Sequence, residues 1–271
     1  MRGRFTIGRP GVSRRLAYAI GVGVLASALA GCGAAPGLDG GTGTTSPTSL
    51  PPVTSFTSTT NAVPATSSTT TTMALLQRGD TGAPVLELQS QLTALGYWLG
   101  TPDGVFGDST QQAVYAIQKA AGIPVDGVVG PETEAAIKDG VRPIPRSTSG
   151  YVVEVNLSKN LVMFVKNGTL EYTLNTSTGG GYTYTVDGET AVAATPVGTF
   201  HIIWEEDGLV VNSLGELWRP KFFYSGFAIH GDSFVPPYPA SHGCVRVSNE
   251  AIDWIWEQNL APIGTTVWTY W

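Results

Sequence analysis

Residues 241–249 read SHGCVRVSN and set Cys244 two positions after His242 and two before Arg246. A thiol ionises with a pKa of about 8.5, so only a few per cent is thiolate at neutral pH, and a cysteine nucleophile needs a base or positive surroundings. His230, His242 and Arg246 are the candidates to supply them. In extended backbone His242 and Cys244 share one face, since alternate residues point the same way. Gly243 lets the chain approach a substrate closely, and the Gly243 and Cys244 amides are candidates for an oxyanion hole. His230 ends the apolar run GFAIH, from which a side chain can face a site held by rigid backbone. Two other readings use the same residues. One is a buried structural cysteine with two hydrogen-bonded histidines; the other is a zinc site of His230, Asp232, His242 and Cys244, which retained activity in excess chelator would reject.

The elements that must carry these groups read as β structure. Val153, Val155 and Leu157 alternate with Glu154 and Asn156, so the first set belongs to one face and the second to the other. Asn167-Gly168 separates two β-rich runs and predicts a tight hairpin, because both residues accept positive φ. Further strand candidates are GTFHIIW, GFAIH and TTVWTYW, and His201 inside the first of these is assigned a structural role. NEAIDWIWEQN reads as the single substantial helix, capped by Ser248 or Asn249, with Glu250 and Asp253 suited to its positive end. Residues 150–271 are therefore expected to form a mainly β domain, sandwich or barrel-like, with one main helix.

Within it the blocks TPVGTF, AIHG and SHGCVR occur in that order and resemble the L,D-transpeptidase catalytic domain. The resemblance implies that Cys244 is the nucleophile and His230 the base, with the carbonyl of Gly231 orienting the imidazole. It places Ser241, His242 and Gly243 along the site, and Arg246 where it holds a substrate carboxylate or stabilises the local fold. The loop GDSFVPPYPA puts ten residues between His230 and Ser241, fewer than the resemblance leads one to expect in many relatives, and Pro236, Pro237 and Pro239 stiffen it. The shape of the pocket therefore does not follow from the resemblance. Tyr238, Trp218 and Tyr224 are its candidate aromatics, each of which has a plain packing role as the alternative.

The other cysteine lies near the start. Residues 1–31 carry five arginines, then the apolar run LAYAIGVGVLASALA, with no acid. This is the layout of an export signal, too short in its apolar part for a membrane span. The run ends in LAGC, which resembles the bacterial lipobox and implies lipid modification of Cys32. The alternative is an incidental residue at an ordinary signal-peptidase site, and Arg14-Arg15 also admits a twin-arginine route. A lipid on Cys32 leaves Cys244 as an unpaired thiol outside the cytoplasm. Removing the leader takes the net charge from −6 to −11, which excludes an electrostatic footprint for nucleic acid.

Residues 32–73 are rich in Thr, Ser, Pro and Gly and read as a disordered tether. Residues 74–146 read as helical. Val85, Leu88, Leu92 and Leu95 recur at helical spacing after Thr81, Gly82 and Pro84, and DGVFGDSTQQAV from Asp103 is echoed by DGVVGPETEAAI from Asp126. Each echo reads as an Asp-Gly turn followed by a helix, opened by Ser109 in one and by Pro131 and Glu132 in the other, which makes a compact three-helix unit. LQRGD, LQSQLTALGY, DGVFG and DGVVGPET together resemble the peptidoglycan-binding type 1 domain. A bundle without a ligand is the alternative.

Taken together, the resemblances imply attack by Cys244 on the amide between a diamino acid at stem position three and D-Ala at position four. Release of D-Ala leaves a thioester, and an amine of a neighbouring stem takes the acyl group to form a 3→3 cross-link, without cofactor or metal. The expected partners are peptidoglycan stem peptides and, through Cys32, a membrane facing the wall. Two alternatives stand beside this. One is an L,D-carboxypeptidase, in which water replaces the amine; the other is a wall-binding lipoprotein without catalysis, against which the intact Cys244, His230 and Arg246 argue.

Overall fold

The computed structural model describes residues 75–271 except 187. The leader, Cys32 and the tether lie outside the described residues.

Three helices open the described chain: α1 (Ala83–Ala94), α2 (Asp108–Ala121) and α3 (Pro131–Lys138). Gly82, Gly107 and Gly130 occupy their N-caps, and proline stands in the first turn of α1 and α3, where its missing N–H costs nothing. The repeated Asp-Gly turns have a shared mechanical reason. Gln89 Nε2 donates to Asp103 Oδ1 and Thr110 Oγ1, while Gln89 Oε1 accepts from the Gly104 amide. Gln118 does the same with Asp126, Thr133 and Gly127. Each turn thus clamps a buried glutamine amide whose donors and acceptor are all used.

Two sheets follow. The first has the order β3-β2-β1-β12-β6, with β1 (Tyr151–Asn156), β2 (Leu161–Lys166), β3 (Thr169–Asn175), β6 (Gly198–His201) and β12 (Thr266–Tyr270). The second runs β11-β10-β9-β7, with β8 also paired to β9; its strands are β7 (Trp204–Glu205), β8 (Leu209–Asn212), β9 (Gly215–Tyr224), β10 (Phe227–Asp232) and β11 (Val245–Ser248). A separate hairpin is formed by β4 (Thr183–Val186) and β5 (Glu189–Val192). Helix α4 (Asn249–Glu257) is capped by the Ser248 hydroxyl, which accepts from the Ala251 amide. Asn167 and Gly168 both take positive φ at the β2–β3 hairpin. One core draws Val153, Val155 and Phe164 from the first sheet, Ile229, Val245 and Val247 from the second, and Ile252 and Ile255 from α4.

The alternation in β1 does not expose its polar face. Strand β1 lies between β2 and β12, and Glu154 is fully buried. Its carboxylate accepts from the Arg146 and Ser147 amides, the Ser147 hydroxyl and the Tyr270 hydroxyl, so the connection from the helices is bound into the sheet.

The helices and the sheets also share a seam. The β2 residue Leu161 belongs to the helical core, and Trp98 packs against the β core. The Trp98 amide donates to the Thr173 carbonyl, and the Thr173 amide donates to Gly96, which covers the outer edge of β3. From α2, the Lys119 ammonium is buried and donates to the Asn160 and Thr176 carbonyls and to Asn175 Oδ1.

Candidate active site

Parallel pairing of β10 with β11 puts His230 opposite Arg246 and Ile229 opposite Val245. Ile229, Val245 and Val247 enter the core, so the alternate residues Ala228, His230 and Arg246 take the opposite face. Cys244 immediately precedes β11 and packs beside Ala228, Leu217 and Phe222 on that face. The thiol has a distant contact, Sγ to the Gly226 carbonyl at 4.0 Å.

His230 is 3% exposed, and its Nδ1 lies 2.8 Å from the carbonyl oxygen of Gly231. A carbonyl can only accept, so Nδ1 carries the proton and Nε2 keeps its lone pair. Burial lowers the imidazole pKa to about 4, against smaller opposing effects of the Gly231 hydrogen bond and the Asp232 charge. Burial likewise raises the Cys244 thiol, with Arg246 pulling the other way. Burial thus favours the neutral form of both the thiol and the imidazole. Gly231 has no room for a side chain: a Cβ there would stand 2.6 Å from Ile252 Cγ2.

Residues 242–244 form a bend, not the extended run that would align His242 with Cys244. Gly243 sits at φ 134, where a Cβ would come within 2.4 Å of Phe227 Cε1. Ser241, only 1% exposed, holds the bend from both sides: its Oγ accepts from the Gly243 amide at 3.0 Å and donates to the Cys244 carbonyl at 2.6 Å. The Gly243 amide is thus occupied, which corrects the two-amide oxyanion hole and leaves Cys244 N–H as the candidate donor. The His242 ring lies against Tyr184 and Tyr182, with centroids 4.7 and 5.5 Å away. Its pKa is lowered by partial burial and by the Arg246 charge.

Arg246 Nε stands 3.0 Å from Asp232 Oδ2, so its nearest charge is within the fold. Tyr238 is 57% exposed on the proline-rich loop. Trp218 is a packing residue, donating from Nε1 to Asp253 Oδ1, and Tyr224 stacks on Phe227 beside Phe200. His201 is exposed at the end of β6, away from these contacts. Among the described residues, no three of His, Cys, Asp and Glu are gathered as a metal would need.

Several supporting residues escaped the sequence reading. The run from Thr176 to Gly180 lies along residues 238–246: Thr176 Oγ1 donates to the Arg246 carbonyl, Ser177 Oγ to the Tyr238 carbonyl, and the Gly180 amide to the Ser241 carbonyl. Thr195 Oγ1 donates to the Gly243 carbonyl and accepts from the Gly179 amide. The available signal was three glycines in a row after three hydroxyl residues, TSTGGG. At Gly179 a Cβ would lie 2.6 Å from the Ala193 carbonyl.

Comparison with known proteins bears on this arrangement. The profile of the L,D-transpeptidase catalytic domain matches residues 150–268, and that of a peptidoglycan binding domain matches residues 81–137. The crystal structure of the L,D-transpeptidase (residues 123–326) from Xylanimonas cellulosilytica is 51% identical, covers 72% of this chain and is itself covered over 97%, with a TM-score of 0.70. The chain belongs to the L,D-transpeptidase family. Its helical part has other relatives. A probable N-acetylmuramoyl-L-alanine amidase of Bacillus licheniformis is 45% identical over 65 residues, which are 23% of this chain and 18% of that protein. A spore cortex-lytic enzyme of Bacillus cereus is 45% identical over 60 residues, 22% of this chain and 23% of that one. The chain thus spans about a fifth of the length of these curated relatives, and what it shares with them is the helical unit. In this chain that unit joins the β domain across the Lys119 seam.

Proposed function

We propose that the protein is a cysteine L,D-transpeptidase that forms 3→3 peptidoglycan cross-links. The observation that carries this reading is the 2.8 Å contact from His230 Nδ1 to the Gly231 carbonyl, which leaves Nε2 unprotonated on the sheet face that Cys244 shares. The Cys244 proton passes to Nε2 as Sγ attacks the carbonyl carbon of the amide between stem residues three and four. The oxyanion takes the Cys244 amide as donor. The C–N bond breaks, the imidazolium returns its proton to the departing D-Ala amine, and a thioester remains. An acceptor amine then attacks the thioester, loses its proton to Nε2, and the thiol is restored. Because thiol and imidazole are both neutral at rest, the first proton moves as attack occurs.

Ser241 and Gly243 shape the bend that presents the thiol, and His242 with its tyrosines forms one wall. Arg246 acts as a support of the His230 strand through Asp232, and Tyr238 offers an exposed aromatic face to the substrate. The same reading places the enzyme outside the cytoplasm with Cys32 lipid-anchored and residues 32–73 as its reach to the wall. Among the described residues, no helix is long and apolar enough to cross a membrane.

Intact-mass analysis after incubation with a carbapenem tests the nucleophile: one adduct is expected, absent in Cys244→Ser. Incubation with disaccharide-tetrapeptides tests the acceptor. A cross-linked dimer with loss of D-Ala is expected, and tripeptide as the sole product would assign an L,D-carboxypeptidase instead.

A further inference from the structure

A groove of about 480 Å³ runs along the seam between helix α2 and the loop after β10. One wall carries Arg78, Asp108, Gln111 and Tyr115; the other carries Asp232, Phe234, Pro237 and Tyr238. The catalytic mechanism uses none of the α2 side. The groove is built into the fold: Gln112 Nε2 donates to the Val235 carbonyl at 3.1 Å, while Gln112 Oε1 accepts from Asn175 Nδ2. Helix and loop are thus fixed to each other before anything binds.

Its lining selects the chemistry of an occupant. Phe234 and Tyr238 are each 57% exposed, an uncommon position for two aromatic side chains on one stiff loop. Opposite them, Gln111 is a carboxamide, which both donates and accepts. Of the three acids in the lining, Asp108 is paired with Arg78 and Asp232 with Arg246, which leaves Glu250 and no unpaired cation among the described lining residues. A carboxylate-bearing peptide finds no free positive partner here. A neutral sugar chain meets aromatic faces for its C–H surfaces and an amide for its acetamido groups.

The groove also leads to the reaction. Asp232 lines it and pairs with Arg246, two residues from Cys244. Ser248, also in the lining, is four residues along from Cys244, roughly 13 Å at strand spacing. We propose that the seam groove binds the neutral N-acetylhexosamine backbone of a glycan strand and so leads its attached peptide to the nucleophile. The proposal rests on the reading of the chain as a wall-acting transpeptidase, and assigns the glycan a site built jointly by the two parts of the chain.

The test uses the exported chain in solution with an N-acetylglucosamine tetramer as probe, followed by calorimetry and amide chemical-shift changes. Shifts are expected at residues 108–115 and 232–238, and Phe234→Ala with Gln111→Ala should weaken binding about tenfold. Carbapenem acylation of Cys244 should be unchanged in that double variant, which also reports that it is folded. Two results would overturn the proposal: tetramer binding unaffected by the double variant, whether or not it is lost in Gln91→Ala, a residue lining another groove between α1 and α3, or no binding of the tetramer at millimolar concentration. Failure of the enzymatic reading would show elsewhere, as absence of the carbapenem adduct in the unsubstituted chain.

Discussion

The Nδ1 atom of His230 and the carbonyl oxygen of Gly231, adjacent in sequence, are 2.8 Å apart, and this contact decides which imidazole nitrogen keeps its lone pair. With burial holding that imidazole at about 4, the base proposed above is unprotonated throughout the neutral range. The acylation rate by a carbapenem is expected to fall on the acid side only as pH approaches about 4, where Nε2 takes a proton. Stopped-flow measurement from pH 4 to 8 checks this, and an acid limb centred near the ordinary histidine value would contradict it. His230→Ala should slow acylation more than His242→Ala, since His242 is turned against Tyr182 and Tyr184.

The same histidine makes stability depend on pH. Its folded pKa lies below the unfolded value of 6.5, so the unfolded chain binds the proton first as pH falls. The contribution is complete above 6.5 and is lost on descending to about 4, on the order of 3 kcal/mol. His230→Gln should remove that part of the slope. Urea midpoints of the two proteins at pH 7 and pH 4.5 measure it, and parallel acid losses would show that His230 is not the group responsible.

Gly243→Ala is expected to abolish acylation while the domain still folds. The new methyl would meet Phe227 Cε1 at 2.4 Å and the Ala194 carbonyl at 2.8 Å, on a residue already at φ 134. We expect a loss of about 2–3 kcal/mol in stability and at least about a hundredfold in acylation rate, equivalent to some 3 kcal/mol of barrier. A near-normal rate would mean that the bend tolerates displacement and that the Cys244 amide is not held for the oxyanion.

Lys119→Met keeps the length of the side chain and removes its three donors. The Asn160 and Thr176 carbonyls and Asn175 Oδ1 would lose a buried partner, at about 2–4 kcal/mol. Urea unfolding should then show a lower midpoint and earlier proteolytic cleavage near residues 140–150. An unchanged midpoint would mean that water replaces the ammonium without cost.

What could be read from the sequence was local. Asn167-Gly168 forms its hairpin because two adjacent residues supply the needed φ, and Ser248 caps α4 because the Ala251 amide is only three residues away. The order of TPVGTF, AIHG and SHGCVR pointed to the family and to the residues around Cys244. What could not be read depends on partners distant in the chain. Alternation put Glu154 on the face opposite Val153 and Val155, but its burial depends on Tyr270 and the Arg146–Ser147 amides, which close over it. Extended backbone at residues 242–244 was a fair local expectation, but the hydroxyl of Ser241 folds it into a bend. Nothing near Lys119 in sequence announces acceptors at residues 160, 175 and 176.

The buried Lys119 has a consequence for how such a chain can be assembled from parts. Helical units of this kind are found on amidases and cortex-lytic enzymes of several bacilli, as though interchangeable. Here the exchange is conditional. A donor unit with an apolar residue at the position of Lys119 would leave three oxygen acceptors of the β domain sealed and unmatched, and a β domain without them would strand the lysine. Recombination between relatives then costs stability unless both sides of the joint travel together. The heritable part is the pair, and its boundary lies outside both units, not in the short connection between them.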